Sequence, residues 1–503
     1  MKRFIIAISL ALLLFNSCNL DRYPYSEVAA DEYVKDGKSV NNLVVGMYNA
    51  LYGAVYNEWA MTELRSDNAR MRINNSTSQD SKLIEQLDQF VPTTANAWIQ
   101  NHWDATYVAV NRANNVLANL DVVQDEAERA RYEGEARFVR AWMYFNLVRL
   151  WGPVFIITSK TGADEARQMQ RSPSEDVWAL VESDLRTIVD ENLLPAEMSA
   201  SDFGRVDARA AKAMLAKVLI SEYSFSDPEY AEALGAAGRS NCSHAEIPHP
   251  AQRWFPTIWF STKRTKAIAE IIFAIRYKSG NLGIGSPFTT LFAPINNGGN
   301  VAIGAPKHYN YPSDNIISAF DANPGDLRKD VCLRESYFNK TTGMIVDNVN
   351  ARYCSKFIDP EMTSEWDAEN DFPVIRLADV MLLAAEVRNE LYGPGDEALT
   401  LLNAVRQRAG IPSYTLADLS SRYEFRQAVR KERRLELCFE NQRFFDLLRW
   451  GTAVSTINSF LASEPFYAGY NYVVNPIEEW QTALPIPVSV LNINKSVAQN
   501  PGY

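Results

Sequence analysis

The sequence predicts a mostly α-helical protein: a scaffold of helix pairs joined to an irregular, loop-rich lobe with a few short strands. Two long segments, 98–123 and 131–152, repeat apolar residues at the three- and four-residue spacing of a helix face. The segment 241–360 instead clusters Gly, Pro and Asn, with short strand-like runs at 270–276 and 351–358. At 503 residues and 47% apolar composition, the chain is large and apolar enough to fold.

The N-terminus carries a signal for export. Two basic residues precede an apolar run over residues 4–15, which is too short to span a bilayer as a helix. Cys18 directly follows a small residue, as in the processing site of a bacterial lipoprotein. We therefore expect residues 1–17 to be a signal peptide, Cys18 to be lipidated and residues 18–30 to form a polar tether. Ordinary secretion with an unmodified cysteine is the alternative.

Predicted helices follow the tether in chain order. They cover residues 31–52, 98–123, 131–152, 173–190, 206–223 and 228–239. The segment 131–152 is apolar on nearly all sides, which predicts a helix buried between its neighbours. Ser172 precedes a proline at the start of the fourth helix, and we expect it to be the N-cap. The polar segment 63–81 has no periodicity and is expected to be a loop.

A helix pair is predicted over residues 372–391 and 396–408, joined by a short turn rich in Gly and Pro. Pairs of helices of this length, with small residues at their contacts, resemble tetratricopeptide units, although no regular repeat period is present. The C-terminal segment 452–503 contains prolines and is expected to be irregular.

The longest periodic segment, 421–451, is predicted to be one helix that ends at Gly451. Its apolar side includes Cys438, which we expect to be buried. Acidic and basic residues alternate along it, and the chain has a net charge of −11, so a nucleic-acid partner is not expected. Its charges are expected to tie neighbouring helices or the lobe together, through Arg433, Arg434, Glu436 and Glu440.

Enzyme signatures are weak in this sequence. Gly280, Gly283 and Gly285 follow a strand-like run, but Pro287 stands where a phosphate-binding helix would begin. No Walker lysine pattern or nucleophile-elbow motif is present, and Cys242, His244 and His249 lack zinc-site spacing. Paired carboxylates cannot be assigned without a pocket. We therefore predict neither an enzyme nor a cofactor or metal site. Whether Cys332 and Cys354 form a disulfide is left open.

Two polar, non-periodic stretches have the composition of a sugar-binding surface. Sugars present flat apolar faces ringed by hydroxyls, so such a surface combines aromatic rings with Asn, Asp and Arg side chains. One stretch runs from Asp67 to Arg72 and continues at Trp98, and the other lies in the lobe between Phe288 and Tyr311. The predicted ligand contacts are Asp67, Asn68, Arg72, Trp98, Asn101, Phe288, Tyr309 and Tyr311. Ordinary packing is the alternative for each aromatic residue.

Six motifs, in this order, identify a family. They are CNLDRYP at 18–24, EARFVRAWMYFNLVRLWG at 135–152, IRLADVMLLAAE at 375–386, LNAVRQRAG at 402–410, RKERRLELCFENQRFFDLLRWG at 430–451 and QNPGY at 499–503. With them the chain resembles the SusD/RagB family of outer-membrane nutrient-binding lipoproteins over essentially its whole length. The family's motif residues are mainly structural, so only the region before and within the Trp98 helix is carried over as a binding region.

The resemblance implies a single domain over residues 31–503, with tetratricopeptide-like helix pairs and an irregular lobe that carries much of the ligand site. It implies a lipid-anchored protein on the cell-surface side of the outer membrane. The expected function is to bind glycans (oligosaccharides) without enzymatic activity and to deliver them to a partner SusC-like TonB-dependent transporter. A peptide-binding importer subunit of the same architecture and a helical-repeat interaction scaffold are the alternatives.

Overall fold

The computed structural model describes residues 34–71, 78–223, 227–237, 270–463 and 475–503. Helices make up most of these residues. In chain order they are α1 Gly37–Met61, α2 Gln79–Asp88, α3 Ala97–Leu117, α4 Glu126–Trp151, α5 Ala163–Ala166, α6 Ser174–Asp190, α7 Ala208–Glu222, α8 Pro228–Ala237, α9 Phe288–Phe292, α10 Asp314–Asp321, α11 Lys329–Cys332, α12 Leu377–Tyr392, α13 Asp396–Arg408, α14 Arg422–Glu436, α15 Arg443–Arg449, α16 Ala453–Ser463 and α17 Val488–Ile493. The prediction of a mostly helical protein is confirmed.

The strands are short and pair two by two. They are β1 Ala69–Arg70, β2 Ile271–Ile275, β3 Tyr311–Pro312, β4 Leu333–Arg334, β5 Tyr337–Asn339, β6 Met344–Val346, β7 Tyr353–Cys354 and β8 Phe372–Arg376. In the described ranges they form four antiparallel pairs, β1 with β3, β2 with β8, β4 with β7 and β5 with β6. Most of them lie within the lobe predicted at 241–360, of which residues 241–269 are outside the described part of the chain.

Long helices that follow one another in the chain pack side by side. Helix α1 packs on α3, α3 on α4, α4 on α6, α6 on α7 and α7 on α8. The array continues from α8 to α12, and α12 packs on both α13 and α14. Short connections favour this arrangement of neighbouring helices. Helix α4 is buried along most of its length, as its apolar sides predict, with Phe138, Tyr144 and Trp151 inaccessible to solvent.

Two helix starts differ from the prediction. Helix α6 begins at Ser174. Its N-cap residue is Pro173, and no side-chain hydrogen bond caps this helix start. Ser172 is not the N-cap, because its N–H donates to the Val154 carbonyl (2.7 Å) in an antiparallel bridge. Helix α2 begins within the segment 63–81 that was predicted to be a loop. Its N-cap is Ser78, whose hydroxyl accepts a hydrogen bond from the Ser81 N–H (3.2 Å).

The segment 372–391 begins as a strand and continues as helix α12. Its first five residues form β8, which pairs with β2 from Phe372 to Arg376. Pro373 lacks an N–H and is disfavoured inside a helix, whereas an extended chain accommodates it beside a bulge. The helix prediction is therefore correct only from Leu377 onwards.

The segment 421–451 is not one helix, because the chain turns between α14 and α15. Phe439 (φ 65°) and Asn441 (φ 62°) have left-handed backbone conformations that a helix cannot include. The turn is held from the lobe, where buried Lys356 donates to the carbonyls of Glu436 (3.1 Å) and Cys438 (2.9 Å). These are carbonyls that the end of α14 leaves without partners.

The charges of α14 tie the scaffold to the lobe. Glu436 is fully buried and accepts hydrogen bonds from Arg328, Arg376 and Arg408. Burial by itself favours the protonated carboxyl, but the three guanidinium groups outweigh it and hold the pKa of Glu436 well below its usual value. Arg433 bridges α12 and α15 through Asp379 and Asp446. The clusters around Glu436 and Arg433 therefore belong to the scaffold of the fold.

Three further findings concern the described residues as a whole. No helix among them is long and apolar enough to cross a membrane. No group of three His, Cys, Asp or Glu side chains within them is arranged to hold a metal ion. Cys332, Cys354 and Cys438 are buried thiols that form no disulfide, and the expected burial of Cys438 is confirmed.

Candidate functional site

Two of the predicted contacts, one from each stretch, meet at the carboxylate of Asp80. The indole Nε1 of Trp98 donates a hydrogen bond to Asp80 Oδ1 (2.6 Å), and the Tyr309 hydroxyl donates to Asp80 Oδ2 (2.9 Å). Asp80 itself is exposed, whereas Trp98 and Tyr309 are 6% and 4% exposed. The carboxylate therefore stands at the surface above two largely buried aromatic residues.

The caps of α2 and α3 position Asp80 and Trp98. Ser78 caps α2, which places Asp80 in its first turn. The Asn96 side chain caps α3 by accepting hydrogen bonds from the N–H groups of Trp98 (3.0 Å) and Ile99 (3.4 Å). The same side chain donates to the Leu83 carbonyl of α2 (2.8 Å). One buried asparagine thus fixes the start of α3 against α2.

Four aromatic rings pack around this carboxylate. Tyr56 stacks on Trp98, with ring centroids 6.0 Å apart and planes 11° from parallel. Trp59 stacks on Tyr309 at 5.7 Å and lies edge-on to Trp98 at 5.6 Å. Trp59 is fully buried and forms the base of the cluster, whereas Tyr56 is half-buried. The Tyr56 ring and the Asp80 carboxylate therefore reach solvent together.

Burial and the neighbouring Asp80 carboxylate both raise the pKa of the Tyr56 and Tyr309 hydroxyls. Both phenols consequently remain protonated at neutral pH and can donate hydrogen bonds. Asn101, one helical turn after Trp98 on α3, is exposed. The cluster and its rim combine an aromatic face with phenol, carboxylate and amide groups.

An exposed aromatic residue, Trp366, follows the lobe segment 241–360 and contacts Lys307, which lies two residues before Tyr309. Its backbone N–H donates to Thr290 Oγ1 (3.1 Å), and Lys307 Nζ lies 5.7 Å from its ring centroid. Lys307 precedes Tyr309 by two residues, a separation of about 7 Å at most along an extended chain. Trp366 is 37% exposed and has a left-handed backbone (φ 63°). That conformation is costly for a bulky residue, and such strain is concentrated at functional positions.

Other predicted contacts lie within the core. Phe288 is fully buried, with its ring centroid 5.1 Å from that of Phe372 and 5.4 Å from that of Phe357. Tyr311 is 1% exposed and pairs with Arg70 between β3 and β1. Both rings are packed against neighbouring residues, so neither is accessible to a ligand. The loop composition around them suggested exposure, but the loops fold over their own aromatic residues.

The predicted polar residues Asp67 and Asn68 are also buried and partnered. Asp67 accepts hydrogen bonds from Arg443 Nε and Nη2 (2.7 and 2.9 Å), and it forms an ion pair with Arg434. Burial opposes ionisation of Asp67, but these guanidinium groups outweigh it and lower its pKa. The Asn68 side chain accepts a hydrogen bond from Arg434 Nε (2.8 Å) and donates one to Glu63 Oε1 (2.8 Å). These side chains connect the first stretch to the α14–α15 turn.

The predicted contact Arg72 lies outside the described residues. Three residues of the candidate site were missed from sequence. Asp80 falls in a segment interpreted as a loop, and Trp366 stands alone in a segment without periodicity. Tyr56 lies beyond the predicted end of the first helix, although Tyr52, Tyr56 and Trp59 have the spacing of one helix face.

Two family models match this chain, one at each end. A model described as "Starch-binding associating with outer membrane" matches residues 19–220, and the SusD family model matches residues 334–503. Through these two matches the chain is similar to SusD/RagB proteins at both of its ends. Both the scaffold motifs and the region of the Trp98 helix fall inside these matches.

Known SusD-like proteins align along nearly the whole chain. The SusD-like protein P25 of Formosa agariphila is 26% identical, with 96% of each chain covered. A structure titled "Laminarin binding SusD-like protein" has a TM-score of 0.72 at 24% identity, covering 93% of this chain and all of the other. Surface glycan-binding protein A from Bacteroides thetaiotaomicron, solved with laminarihexaose, has a TM-score of 0.74 at 20% identity, covering 92% and 99%. These structural likenesses confirm the SusD-like fold.

Proposed function

We propose that this SusD-like protein binds glycans at the surface formed by Tyr56, Asp80, Trp98, Asn101 and Trp366. The single observation that carries the proposal is the Asp80 cluster, where a half-buried Tyr56 ring and an exposed carboxylate share one surface. Carbohydrate rings pack their apolar faces on aromatic rings, and their hydroxyls bond to carboxylate and amide groups. Relatives of the same fold are named for laminarin and glycan binding.

Trp366 supplies a second stacking surface in this proposal. Its ring is 37% exposed, and its centroid lies 5.7 Å from Nζ of Lys307, two residues before Tyr309 in the chain. An extended oligosaccharide would then contact the scaffold through Tyr56 and the lobe through Trp366. Binding needs no chemical step, because the site holds its ligand through stacking and hydrogen bonds. Incubation of the protein with a bound oligosaccharide should therefore release no shorter product.

Isothermal titration of the chain lacking residues 1–18 with neutral oligosaccharides tests glycan binding. The expected result is saturable binding of at least one glycan and no binding of unrelated peptides. Binding of peptides that glycans cannot displace would contradict the proposal and would favour the peptide-binding alternative. Binding of neither class would contradict ligand capture altogether.

The same proposal places the protein on the cell surface, anchored through Cys18 and delivering its ligand to a SusC-like TonB-dependent transporter. Support comes from the basic and apolar N-terminal sequence and from a family described as associating with the outer membrane. The mature protein should begin at Cys18 and carry acyl chains, which mass spectrometry of its N-terminal peptide would detect. Affinity purification from outer membranes should recover the transporter, and its absence would contradict the delivery step.

A further inference from the structure

A cavity rich in positive charge lies between α14 and α15, apart from the Asp80 cluster. It has a volume of about 280 Å³, is open to solvent and is also lined by Ala319 of α10 and by Thr452 and Thr456 at the start of α16. Its polar lining consists mainly of Arg430, Lys431, Arg434, Arg443 and Thr456, beside the indole of Trp450. The residues that line it include no carboxylate, although the whole chain has a net charge of −11.

One buried carboxylate compensates only part of this charge. Asp67 lies behind the cavity and pairs with both Arg443 (2.7 Å) and Arg434 (3.1 Å). A single negative charge is thus shared between two guanidinium groups. Burial lowers the pKa of Arg434 to about 10 despite the proximity of Asp67. An anion in the cavity would stabilise the charged form of this side chain.

Arg430 and Lys431 lack the close ion pairs that Arg434 and Arg443 make with Asp67. Neither forms an ion pair in the described part of the chain, and the Arg430 Nε is enclosed without a hydrogen-bond partner there. The Arg430 guanidinium lies 4.5 Å from the Trp450 ring centroid, a cation–π contact that leaves its in-plane N–H groups available for an acceptor. A buried donor without a partner is costly, so its presence needs an explanation.

Carboxylates on the surrounding elements are already occupied. Glu386 of α12 accepts hydrogen bonds from Arg449 and from the Trp450 indole, and Glu390 pairs with Arg426. On α10, which faces the cavity, Asp314 pairs with Arg352 and Asp321 with Lys329. Burial lowers the pKa of Arg430 and outweighs Glu386 and Glu390, which favour its charged form. Among the described residues, Asp67 is the only carboxylate that forms an ion pair with a side chain lining the cavity.

The dimensions and chemistry of the cavity define its ligand class. Guanidinium groups bind planar or tetrahedral oxyanions through paired hydrogen bonds, and a cavity near 300 Å³ is at the small end of ligand sites. We propose that this cavity binds the sulfate ester or carboxylate of an acidic sugar residue. The inference rests on the proposed glycan-binding function and extends its substrate class to glycans that carry an acidic group.

Calorimetry with the full chain in a mild detergent tests this proposal. The probes are glucose 6-sulfate, glucuronate, glucose and inorganic sulfate. We expect at least one of the two acidic sugars to bind tenfold or more tightly than glucose, and its affinity to fall as ionic strength rises. Equal affinity for acidic and neutral sugars overturns the proposal. Inorganic sulfate that binds as tightly as both acidic sugars also overturns it, because the cavity would then hold a free anion.

Variants locate the binding. K431Q changes an exposed side chain and should fold normally, and R430Q/K431Q removes both charges that form no ion pair within the described residues. Each should reduce the preference for the acidic sugar, the double variant by tenfold or more. K38Q removes one exposed positive charge at the start of α1 and is the matched control. An unchanged preference in K431Q and in a folded R430Q/K431Q overturns the assignment to this cavity.

The results that would contradict the cavity proposal differ from those that would contradict the proposed glycan-binding function. Neutral laminarihexaose should bind R430Q/K431Q as it binds the unaltered chain, because the Asp80 cluster is untouched. A chain that binds acidic sugars but no neutral glycan contradicts the neutral-glycan surface and leaves the cavity supported. A chain that binds neutral glycans without preferring acidic sugars overturns the cavity alone.

Discussion

The rings of Trp98 and Tyr309 meet edge to face, with centroids 6.4 Å apart and planes at 84°. Their sequence neighbourhoods belong to different parts of the fold, since Trp98 starts helix α3 and Tyr309 lies in the lobe before β3. Both donate hydrogen bonds to one carboxylate, that of Asp80. A ligand at this surface would therefore contact the scaffold and the lobe at the same time.

The Asp80 carboxylate is the first target for substitution. In D80A the Trp98 indole and the Tyr309 hydroxyl lose their acceptor, and we expect glycan affinity to fall tenfold or more. The free energy of unfolding should fall by only about 1–2 kcal/mol, because water can reach the vacated position. Calorimetry and urea denaturation measure the two effects. The control D104A removes an exposed carboxylate of α3 that accepts a hydrogen bond from Gln100, and it should change the affinity and the stability by less.

Substitution of Trp98 by alanine is less informative than its sequence position suggests. The ring is 6% exposed and touches Tyr56, Trp59 and Tyr309, so its removal opens a cavity and costs about 3–5 kcal/mol. A loss of binding in W98A would then mix local unfolding with loss of a contact. W98F retains a ring in the stack and removes the hydrogen bond to Asp80, so it isolates the polar contribution.

Trp366 should contribute to binding without contributing to stability. We expect W366A to weaken glycan binding about tenfold, equivalent to about 1.4 kcal/mol, through loss of the exposed ring. Its free energy of unfolding should change by less than about 0.5 kcal/mol, because the side chain lies at the surface. Y423A removes an exposed ring at the start of α14 and serves as the control. Equal affinities of W366A and Y423A would remove Trp366 from the site.

The sequence was sufficient for elements whose local pattern and tertiary environment agree. Helix α4 was predicted almost to its ends because it is apolar on several sides and is buried on all of them. The segment 421–451 was wrongly predicted to be one helix, because its apolar periodicity continues through the turn between α14 and α15. That turn depends on Lys356, a residue from the lobe that binds the carbonyls of Glu436 and Cys438. A contact between distant segments leaves no trace in the local pattern.

The candidate site was predictable only in part, for a similar reason. Composition placed Trp98 and Tyr309 in polar stretches, but it could not distinguish them from Phe288, whose loop folds inward on Phe372. Asp80 has no distinctive neighbours in sequence, and only the tertiary fold brings it between the two rings. Exposure depends on how loops pack, which the residue types of one loop do not determine.

The buried Glu436 should make the free energy of unfolding decrease at acidic pH. Its pKa is lowered in the folded protein, so its contribution is present above the unfolded value near 4.5 and is lost as pH falls towards the folded pKa. We expect E436Q to cost about 3–5 kcal/mol at pH 7, because Arg376 and Arg408 lose a buried partner. Urea denaturation should show a smaller difference in the free energy of unfolding between E436Q and the unaltered chain at pH 4 than at pH 7. E397Q, which alters an exposed glutamate paired with Arg388, is the control and should have little effect at either pH.

Glu63 should produce the opposite pH dependence. Burial raises its pKa to about 7, although Asn68 Nδ2 and the Phe439 N–H donate hydrogen bonds to its Oε1 (2.8 and 2.7 Å). A raised folded pKa gives a contribution that is complete below the unfolded value near 4.5 and is lost as pH rises through about 7. The shift corresponds to roughly 2–4 kcal/mol between these limits. E63Q cannot ionise, so its stability should decline less than that of the unaltered chain between pH 5 and pH 8.

Urea denaturation across this range measures the difference between the two slopes. The comparison isolates Glu63, because other groups that titrate in the same range, such as the buried Glu58, are common to both chains. The exposed-site variant E397Q should follow the unaltered chain at every pH. Parallel curves for E63Q and the unaltered chain would contradict the raised pKa of Glu63 and would show that the nearby Lys356 ammonium offsets the burial of its carboxylate.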